Sequence, residues 1–360
     1  MTARLPSPLP PTIAWNGGID GALELLDQTR LPHATEVLVL RDVDAVCDAI
    51  LRLSVRGAPA IGVTAAYALV LAVARRPSRE RRLALGLAAA ALRATRPTAV
   101  NLGAALDRVL AAAPDGDPAT VLTAARALHD EDRALCSAMA AAGAELIRDG
   151  ARVLTHCNTG RLATAGDGTA LAVVFAAHAA GTRFSVLADE TRPLLQGARL
   201  TALELRAAGI PHEVIVDGAA ASLMARGEVD LVLVGADRIA RNGDVANKIG
   251  TYGLALAAKV HEIPFWVVAP RTTFDPTLSS GAEIPIEERD PAEVLSILGH
   301  SIAAGGTRAR NPAFDVTPGR WITGFCTDVG LLHGANPRSV KLALSGGRYL
   351  EHESDEAEEG

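Results

Sequence analysis

The 360-residue sequence predicts an α/β protein built in two parts, a mainly helical N-terminal domain with a small sheet and a parallel-sheet C-terminal domain. Two observations carry that prediction. From Val43 to about Gly150 the pattern is Ala-rich and helical, with no strand run to interrupt it. From Val153 onward, short β-favouring apolar runs alternate with helical stretches. Alternation of that kind marks a parallel sheet with crossover helices, so the second part is Rossmann-like.

Taken in order, residues 1–11 carry four prolines and read as a loose leader. Trp15 to Asp20 enters a small hairpin, and Glu36–Leu40 reads as a strand. Helices follow at Val43–Val55, Ala60–Ala74, Leu83–Thr95, Leu102–Ala113 and Ala119–Asp149. The border falls at Asp149-Gly150, giving an N-terminal domain of residues 1–149 and a catalytic domain of residues 150–346. Strands in the second domain are expected at Val153–Leu154, Phe184–Leu187, Glu213–Val216, Leu231–Val234 and Phe265–Val268. The helices between them are Thr169–Ala180, Leu194–Ala208, Ala219–Arg226 and Lys248–Val260. Residues 347–360 form an acidic tail with the composition of a disordered segment.

Composition removes several function classes. Aromatic residues make up only 3% of the chain and the net charge is −6, so neither stacking platforms nor a basic stripe suggests a nucleic-acid partner. The longest strongly apolar segment, Ile61–Ala74, is too short to span a bilayer. The N-terminus lacks the pattern of a signal peptide, which points to a cytoplasmic protein. Cys47, Cys136, Cys157 and Cys326 lie far apart without a Cys-x-x-Cys pair, so neither a disulfide framework nor a metal cluster is expected.

The chemistry gathers at strand ends. Leu231-Val-Leu-Val234 is an uninterrupted apolar run, as in strands buried on both faces. The first polar side chain beyond it is Asp237. Ligands of open α/β sheets bind outside the carboxyl ends of the strands, so a rigid strand delivers this carboxylate to the crevice. Burial there would raise its pKa and suit it to acid or base work, although an Asp closing a strand also serves as a turn former. After the Asn242-Gly243 turn, Asn247 and Lys248 open a helical run and suit an anionic substrate.

Another strand ends in Thr155-His-Cys-Asn-Thr-Gly160, followed by Gly166-Asp-Gly-Thr169 before a helix. Small residues and free backbone N–H groups there make a phosphate cradle, but the Gly-x-Gly-x-x-Gly fingerprint of a nicotinamide cofactor is missing. Cys157 stands apart from the other cysteines because it follows a strand, precedes this loop and adjoins His156; a helix N-terminus would favour its thiolate. His156 reads as a satisfied structural histidine. Asp189, Glu190 and Arg192 read as an internal ion-pair or capping cluster, with Gln196 placed to reach a substrate hydroxyl. In the helical part, Arg56-Gly57-Ala58-Pro59 is a tight turn into a Pro-started helix, and Arg96-Pro97 has the same logic; both suit an anion.

In this order the motifs resemble the methylthioribose-1-phosphate isomerase family of methionine salvage. The resemblance rests on Arg56-Gly-Ala-Pro-Ala-Ile-Gly62, Arg96-Pro-Thr-Ala-Val-Asn-Leu102, Leu154-Thr-His-Cys-Asn158 and Ala188-Asp-Glu-Thr-Arg-Pro-Leu-Leu-Gln-Gly-Ala-Arg199. It continues through Val234-Gly-Ala-Asp-Arg-Ile239, Asn242-Gly-Asp-Val-Ala-Asn-Lys-Ile-Gly-Thr-Tyr252 and Asn311-Pro-Ala-Phe-Asp-Val-Thr-Pro318. It implies a homodimer that converts 5-methylthioribose 1-phosphate to 5-methylthioribulose 1-phosphate without metal or other cofactor. By match to the family motifs, Cys157 and Asp237 are the catalytic pair, and Arg56, Gly57, Ala58, Arg96, Gln196, Asn247 and Lys248 contact the sugar phosphate.

One stretch departs from the family pattern. Asn158-Thr-Gly-Arg-Leu-Ala-Thr164 stands where Asn-Ala-Gly-Ala-Leu-Ala-Thr is common, and Asp167 replaces an aromatic. Arg161 and Asp167 either pair across the loop or reshape the pocket at the substrate's C5 end, which keeps a 5-deoxyribose 1-phosphate isomerase in view. The same fold family holds non-catalytic regulatory subunits of the translation-initiation exchange factor, which lack the paired Cys and Asp.

Overall fold

The computed structural model describes residues 9–97 and 99–346; the expected acidic tail and most of the proline-rich leader lie outside the described residues. By contact density the chain divides into two compact units, the first containing residues up to Cys136 plus Asn158–Gly168, the second Ser137–Cys157 and everything from Thr169. The Asp149-Gly150 turn, read above as the border, lies in the second unit and leads into its first strand.

In the first unit, β1 (Ile13–Asn16), β2 (Ala22–Leu26) and β3 (Val37–Leu40) form an antiparallel sheet. The helices are α1 (Val43–Leu51), α2 (Ala58–Val73), α3 (Ser78–Thr95), α4 (Val100–Ala112) and the long α5 (Pro118–Gly143), whose end from Ser137 on belongs to the second unit. Helix α2 is apolar all round and buried along nearly its whole length, which makes it the axis of this core. Each helix expected from the Ala-rich half is present, with ends shifted by a few residues.

In the second unit the strands and helices alternate as expected: β4 (Arg152–Thr155), α6 (Ala170–Ala179), β5 (Ser185–Asp189), α7 (Ala202–Ala207), β6 (His212–Ile215), α8 (Ala220–Ala225) and β7 (Leu231–Val234). Two short strands that the sequence reading lacks, β8 (Arg238–Ala240) and β9 (Val245–Lys248), come next. They precede α9 (Thr251–Val260), β10 (Phe265–Val268), β11 (Phe274–Asp275), α10 (Ala292–Leu295), β12 (Ser296–Ile297), β13 (His300–Ser301) and β14 (Phe314–Thr317). The described chain closes with β15 (Gly324–Thr327), β16 (Gly330–His333) and α11 (Pro337–Leu344).

The main sheet has the order β16-β15-β10-β7-β4-β5-β6, parallel except for the β16 edge. From β6 through β5, β4, β7 and β10 to β15, this is the doubly wound order, whose topological switch lies between β4 and β7. Both strands bury their side chains almost completely, as residues with neighbours on either face must.

A second sheet, β11-β8-β9-β14, corrects the expectation of a helix from Lys248. Asn247 and Lys248 end a strand paired antiparallel with β14, and the helix begins only at Thr251. Gly250, at φ +108°, turns the chain between them in a conformation that residues with a Cβ rarely adopt. The apolar periodicity of Leu254-Ala-Leu-Ala-Ala is real but does not extend back across that glycine.

Candidate active site at the ends of β4 and β7

Cys157 and Asp237 come off β4 and β7, the two neighbouring strands that flank the switch of the sheet. Thr155 lies opposite Leu233 in their parallel pairing, so the two chains leave the sheet side by side. Cys157 is half-buried and takes a left-handed backbone, φ +61°. Such a conformation costs about 1–3 kcal/mol in a non-glycine residue and persists only where its surroundings hold it. Here its N–H donates to Thr191 Oγ1 at 2.8 Å, and its carbonyl accepts from Thr201 Oγ1 at 2.6 Å. Thr191 is itself left-handed, φ +64°, with its N–H donating to Asp217 at 2.8 Å.

Beyond β7 the chain runs through Asp237 into the β8–β9 hairpin, tied by Asp237 N–H donating to the Ala246 carbonyl at 2.9 Å. The hairpin returns Asn247 and Lys248, 5% and 7% exposed, to the same end of the sheet. Burial lowers the Lys248 pKa, and Arg289 lowers it further; the charges of Cys157, Asp237 and Glu293 act the other way. The lysine is thus a desolvated cation within electrostatic reach of both predicted catalytic residues. Asn247 Nδ2 donates to Thr251 Oγ1 at 2.9 Å, and that hydroxyl donates to the Lys248 carbonyl at 2.7 Å.

Gln196 is 7% exposed, and its Oε1 is buried with no hydrogen-bond partner among the described residues. It precedes a π-helical turn, Gly197–Thr201, where a single α-helix was expected. A Cβ on Gly197 would lie 1.6 Å from the Asp189 carbonyl oxygen, so the turn closes onto the end of β5 only through glycine.

The four remaining predicted residues belong to the first unit. Gly57, φ +89°, is the N-cap of α2 and Ala58 its first residue. A Cβ on Gly57 would sit 2.3 Å from the Ala163 carbonyl. The Arg56 guanidinium donates to the backbone carbonyl and the side-chain oxygen of Asn158. Arg96 caps the C-terminus of α3. Asn101 at the start of α4 comes within 3.0 Å of a Cβ built on Gly62, placing the α3–α4 corner beside the first turns of α2. Backbone donors at a helix start and nearby arginines suit an oxyanion.

Several sequence expectations are resolved by these contacts. His156 is a fully engaged structural histidine: Nδ1 faces Asp189 Oδ2 at 2.9 Å and Nε2 the Ile249 carbonyl at 2.8 Å. Burial opposes its protonation, but Asp189, the Ile249 carbonyl and Asp217 outweigh that and raise its pKa. Asp189 therefore pairs with His156, correcting the cluster expected with Arg192. The Arg192 guanidinium instead donates to the carbonyls of Pro193, Val294 and Ser296. His156, Asp189 and Asp217 place ligand-type atoms within 4.8 Å of one another. Both imidazole nitrogens face oxygen acceptors, and Asp217 already accepts from the N–H groups of Thr191 and Arg192, so this donor set does not fit a metal.

Arg161 and Asp167 pair at 3.2 Å, with side chains 44% and 66% exposed, as one of the two readings of that loop expected. Burial pushes the Cys136 and Cys326 thiols up to about 12, which leaves them inert, and burial also raises Cys47. No helix starts directly at Cys157; α6 begins at Ala170, so a helix N-terminus next in the chain is not what conditions this thiol. Thr191 and Thr201, which hold it, escaped sequence reasoning: Thr191 lay in a recognised polar cluster, whereas nothing local marks Thr201.

Known proteins resemble this chain over most of its length. Residues 54–334 match the Initiation factor 2 subunit family. The chain belongs to that family. It is 52% identical over 345 residues to a methylthioribose-1-phosphate isomerase of Pelotomaculum thermopropionicum, covering 93% of this chain and 94% of that one. It is 51% identical over 344 residues to a 5-deoxyribose 1-phosphate isomerase of Moorella thermoacetica, covering 93% and 97%. Among solved structures, the 5-methylthioribose 1-phosphate isomerase of Pyrococcus horikoshii OT3 superposes with a TM-score of 0.86 at 40% identity, covering 94% of this chain and 97% of that one. The translation initiation factor eIF-2B subunit delta from A. fulgidus superposes with 0.83 at 42% identity, covering 93% and 99%. This family member therefore shares its fold with proteins named for catalysis and for translation alike, and the site must discriminate between them.

Proposed function

We propose that this chain is an aldose–ketose isomerase of methionine salvage, converting 5-methylthioribose 1-phosphate to 5-methylthioribulose 1-phosphate in the cytoplasm. The observation that carries the reading is the convergence of Cys157, Asp237 and the buried Lys248 at the switch of the sheet. A binding module has no need of a thiol in a strained backbone beside a carboxylic acid and a desolvated cation.

The chemistry follows from the substrate. Its phosphate sits on the anomeric carbon and blocks spontaneous ring opening, so an acid must protonate the ring oxygen as its bond to C1 breaks. Hydrogen then moves from C2 to C1 and the C2 hydroxyl gives up its proton, which restores the acid and leaves a ketone. We assign the proton transfers to Asp237, with Cys157 assisting at C1 or C2. Lys248, Asn247 and Gln196 bind the sugar phosphate, as do Arg56, Gly57, Ala58 and Arg96. The hydrogen travels either as a hydride or through an enediol. In heavy water, full solvent incorporation at C1 excludes a pure hydride shift.

The Arg161–Asp167 pair supports the methylthio substrate, because two charges that satisfy each other in solvent deliver no net charge to an apolar substituent. The identity of 51% to a 5-deoxyribose 1-phosphate isomerase, beside 52% to a methylthioribose-1-phosphate isomerase, supports the second reading, with the same residues acting on a smaller C5 group. A phosphorus and proton NMR time course with both sugars separates them. Efficient conversion of the methylthio sugar is expected; preference for the deoxy sugar moves the chain to the second activity. Turnover of neither, together with a stable complex with a GTP-binding initiation factor, would reverse the choice in favour of a regulatory subunit.

A further inference from the structure

We propose that His156 is a positioning residue that sets Cys157 in register with Lys248. It precedes Cys157 in the chain, and its Nε2 donates to the carbonyl of Ile249, the residue after Lys248, at 2.8 Å. One imidazole ring therefore joins the segment bearing the thiol to the segment bearing the ammonium, with one residue of chain at each end. The inference rests on the isomerase reading for its purpose, but its geometry does not.

The ring is held on all sides. Its Nδ1 is anchored 2.9 Å from Asp189 Oδ2, and both side chains are 1% exposed. A Cβ on Gly250 would lie 2.8 Å from His156 Cε1, so glycine is what lets the β9–α9 corner close onto the ring. The charged groups around it come from separate elements: Asp189 from β5, Asp217 from the turn after β6, and Asp315 from β14. Asp315 also fixes the corner, accepting from Gly250 N–H at 2.7 Å and Tyr252 N–H at 3.0 Å. Ile249 is thus clamped between its own backbone bond to the Ala313 carbonyl and the histidine. The Nε2 bond thereby ties the end of β9 to the segment that carries Cys157.

The test reads the coupling between thiol and ammonium without any substrate. Alkylation of Cys157 by iodoacetamide is followed against pH, with the modified peptide assigned by mass spectrometry. In the wild-type background, Lys248→Met is expected to raise the midpoint by about 1 pH unit, because a nearby cation favours the thiolate. His156→Asn can still reach towards Asp189 but not Ile249, and in that background the Lys248 effect is expected to vanish. His156→Gln, whose amide can reach the Ile249 carbonyl, is expected to retain most of it. Isomerase kcat/KM should follow the same order, falling about tenfold in His156→Asn and less in His156→Gln. An undiminished Lys248 effect in folded His156→Asn overturns the proposal. If that variant does not fold, Gly250→Ala gives the same reading by displacing the ring. On the wild-type protein, nitrogen NMR at neutral pH must show a proton on His156 Nε2; its absence also overturns the proposal. Coupling that persists in a protein turning over no sugar phosphate would sink the isomerase reading and leave the positioning role standing.

Discussion

In the proposed reaction Cys157 and Asp237 act at different points, so each should be indispensable by itself. Cys157→Ser and Asp237→Asn are expected to abolish turnover while circular dichroism and the melting temperature stay near wild type. A near-normal kcat in either variant would remove that residue from the chemistry. Lys248 should behave differently, because the proposed reaction gives it a binding role and no proton transfer. Lys248→Ala loses a charge-assisted contact of roughly 1.5–3 kcal/mol, which raises KM about tenfold or more with a smaller change in kcat. Burial lowers the Lys248 pKa, so its ammonium is lost at a lower pH than an ordinary lysine loses its charge. KM should therefore rise on the alkaline side, and Lys248→Ala should flatten that limb of the profile.

At the scale of elements, the structure ties the loop following Cys157 down in two ways. Gly57 lets α2 start against the Ala163 carbonyl at a positive φ, and an alanine there meets both strain and a clash. Gly57→Ala should cost at least about 1 kcal/mol of stability, read from thermal or denaturant unfolding. The second tie is Asp132 of α5, which accepts from Ala165 N–H at 2.7 Å. Burial raises its pKa to about 6 against the pull of the Ala165 and Gly166 N–H groups. A carboxyl whose folded pKa is raised favours the folded state below the ordinary carboxyl range, and that contribution disappears as pH rises through about 6. The effect is on the order of 3 kcal/mol at most. Asp132→Asn should remove this part of the fall in melting temperature between mildly acidic and neutral pH; an unaltered pH slope would show that the group titrates normally.

At the scale of the whole molecule, no helix among the described residues is long and apolar enough to cross a membrane. One helix face does remain apolar and open: Tyr252, Leu256 and Val260 recur every fourth residue on α9 and are 40%, 42% and 67% exposed. A stripe of this kind supports the homodimer that the family resemblance implies. Leu256→Asp is expected to shift the protein to monomer in sedimentation experiments. A wild-type chain that sediments as a monomer would withdraw the dimer altogether.

Sequence alone determined the order of elements wherever a segment is buried on a simple period. The Ala-rich helices, the runs Leu231–Val234 and Phe265–Val268, and the crossover helices follow from periodicity because a buried face imposes its repeat on the chain. It also placed Cys157 and Asp237 just beyond two buried strands, where the structure has them, since an apolar run that stops at polar residues marks the strand's end. Tertiary structure decided the rest. The strand Val245–Lys248 carries a buried amide and a buried lysine, which no apolar pattern announces, and its pairing partner Phe314–Thr317 lies far along the chain. That Cys157 is held by hydroxyls of Thr191 and Thr201, and joined to the Lys248 segment through His156, depends on contacts between elements remote in sequence. Local periodicity records which face of an element is buried; it carries no record of which remote polar group will meet it there.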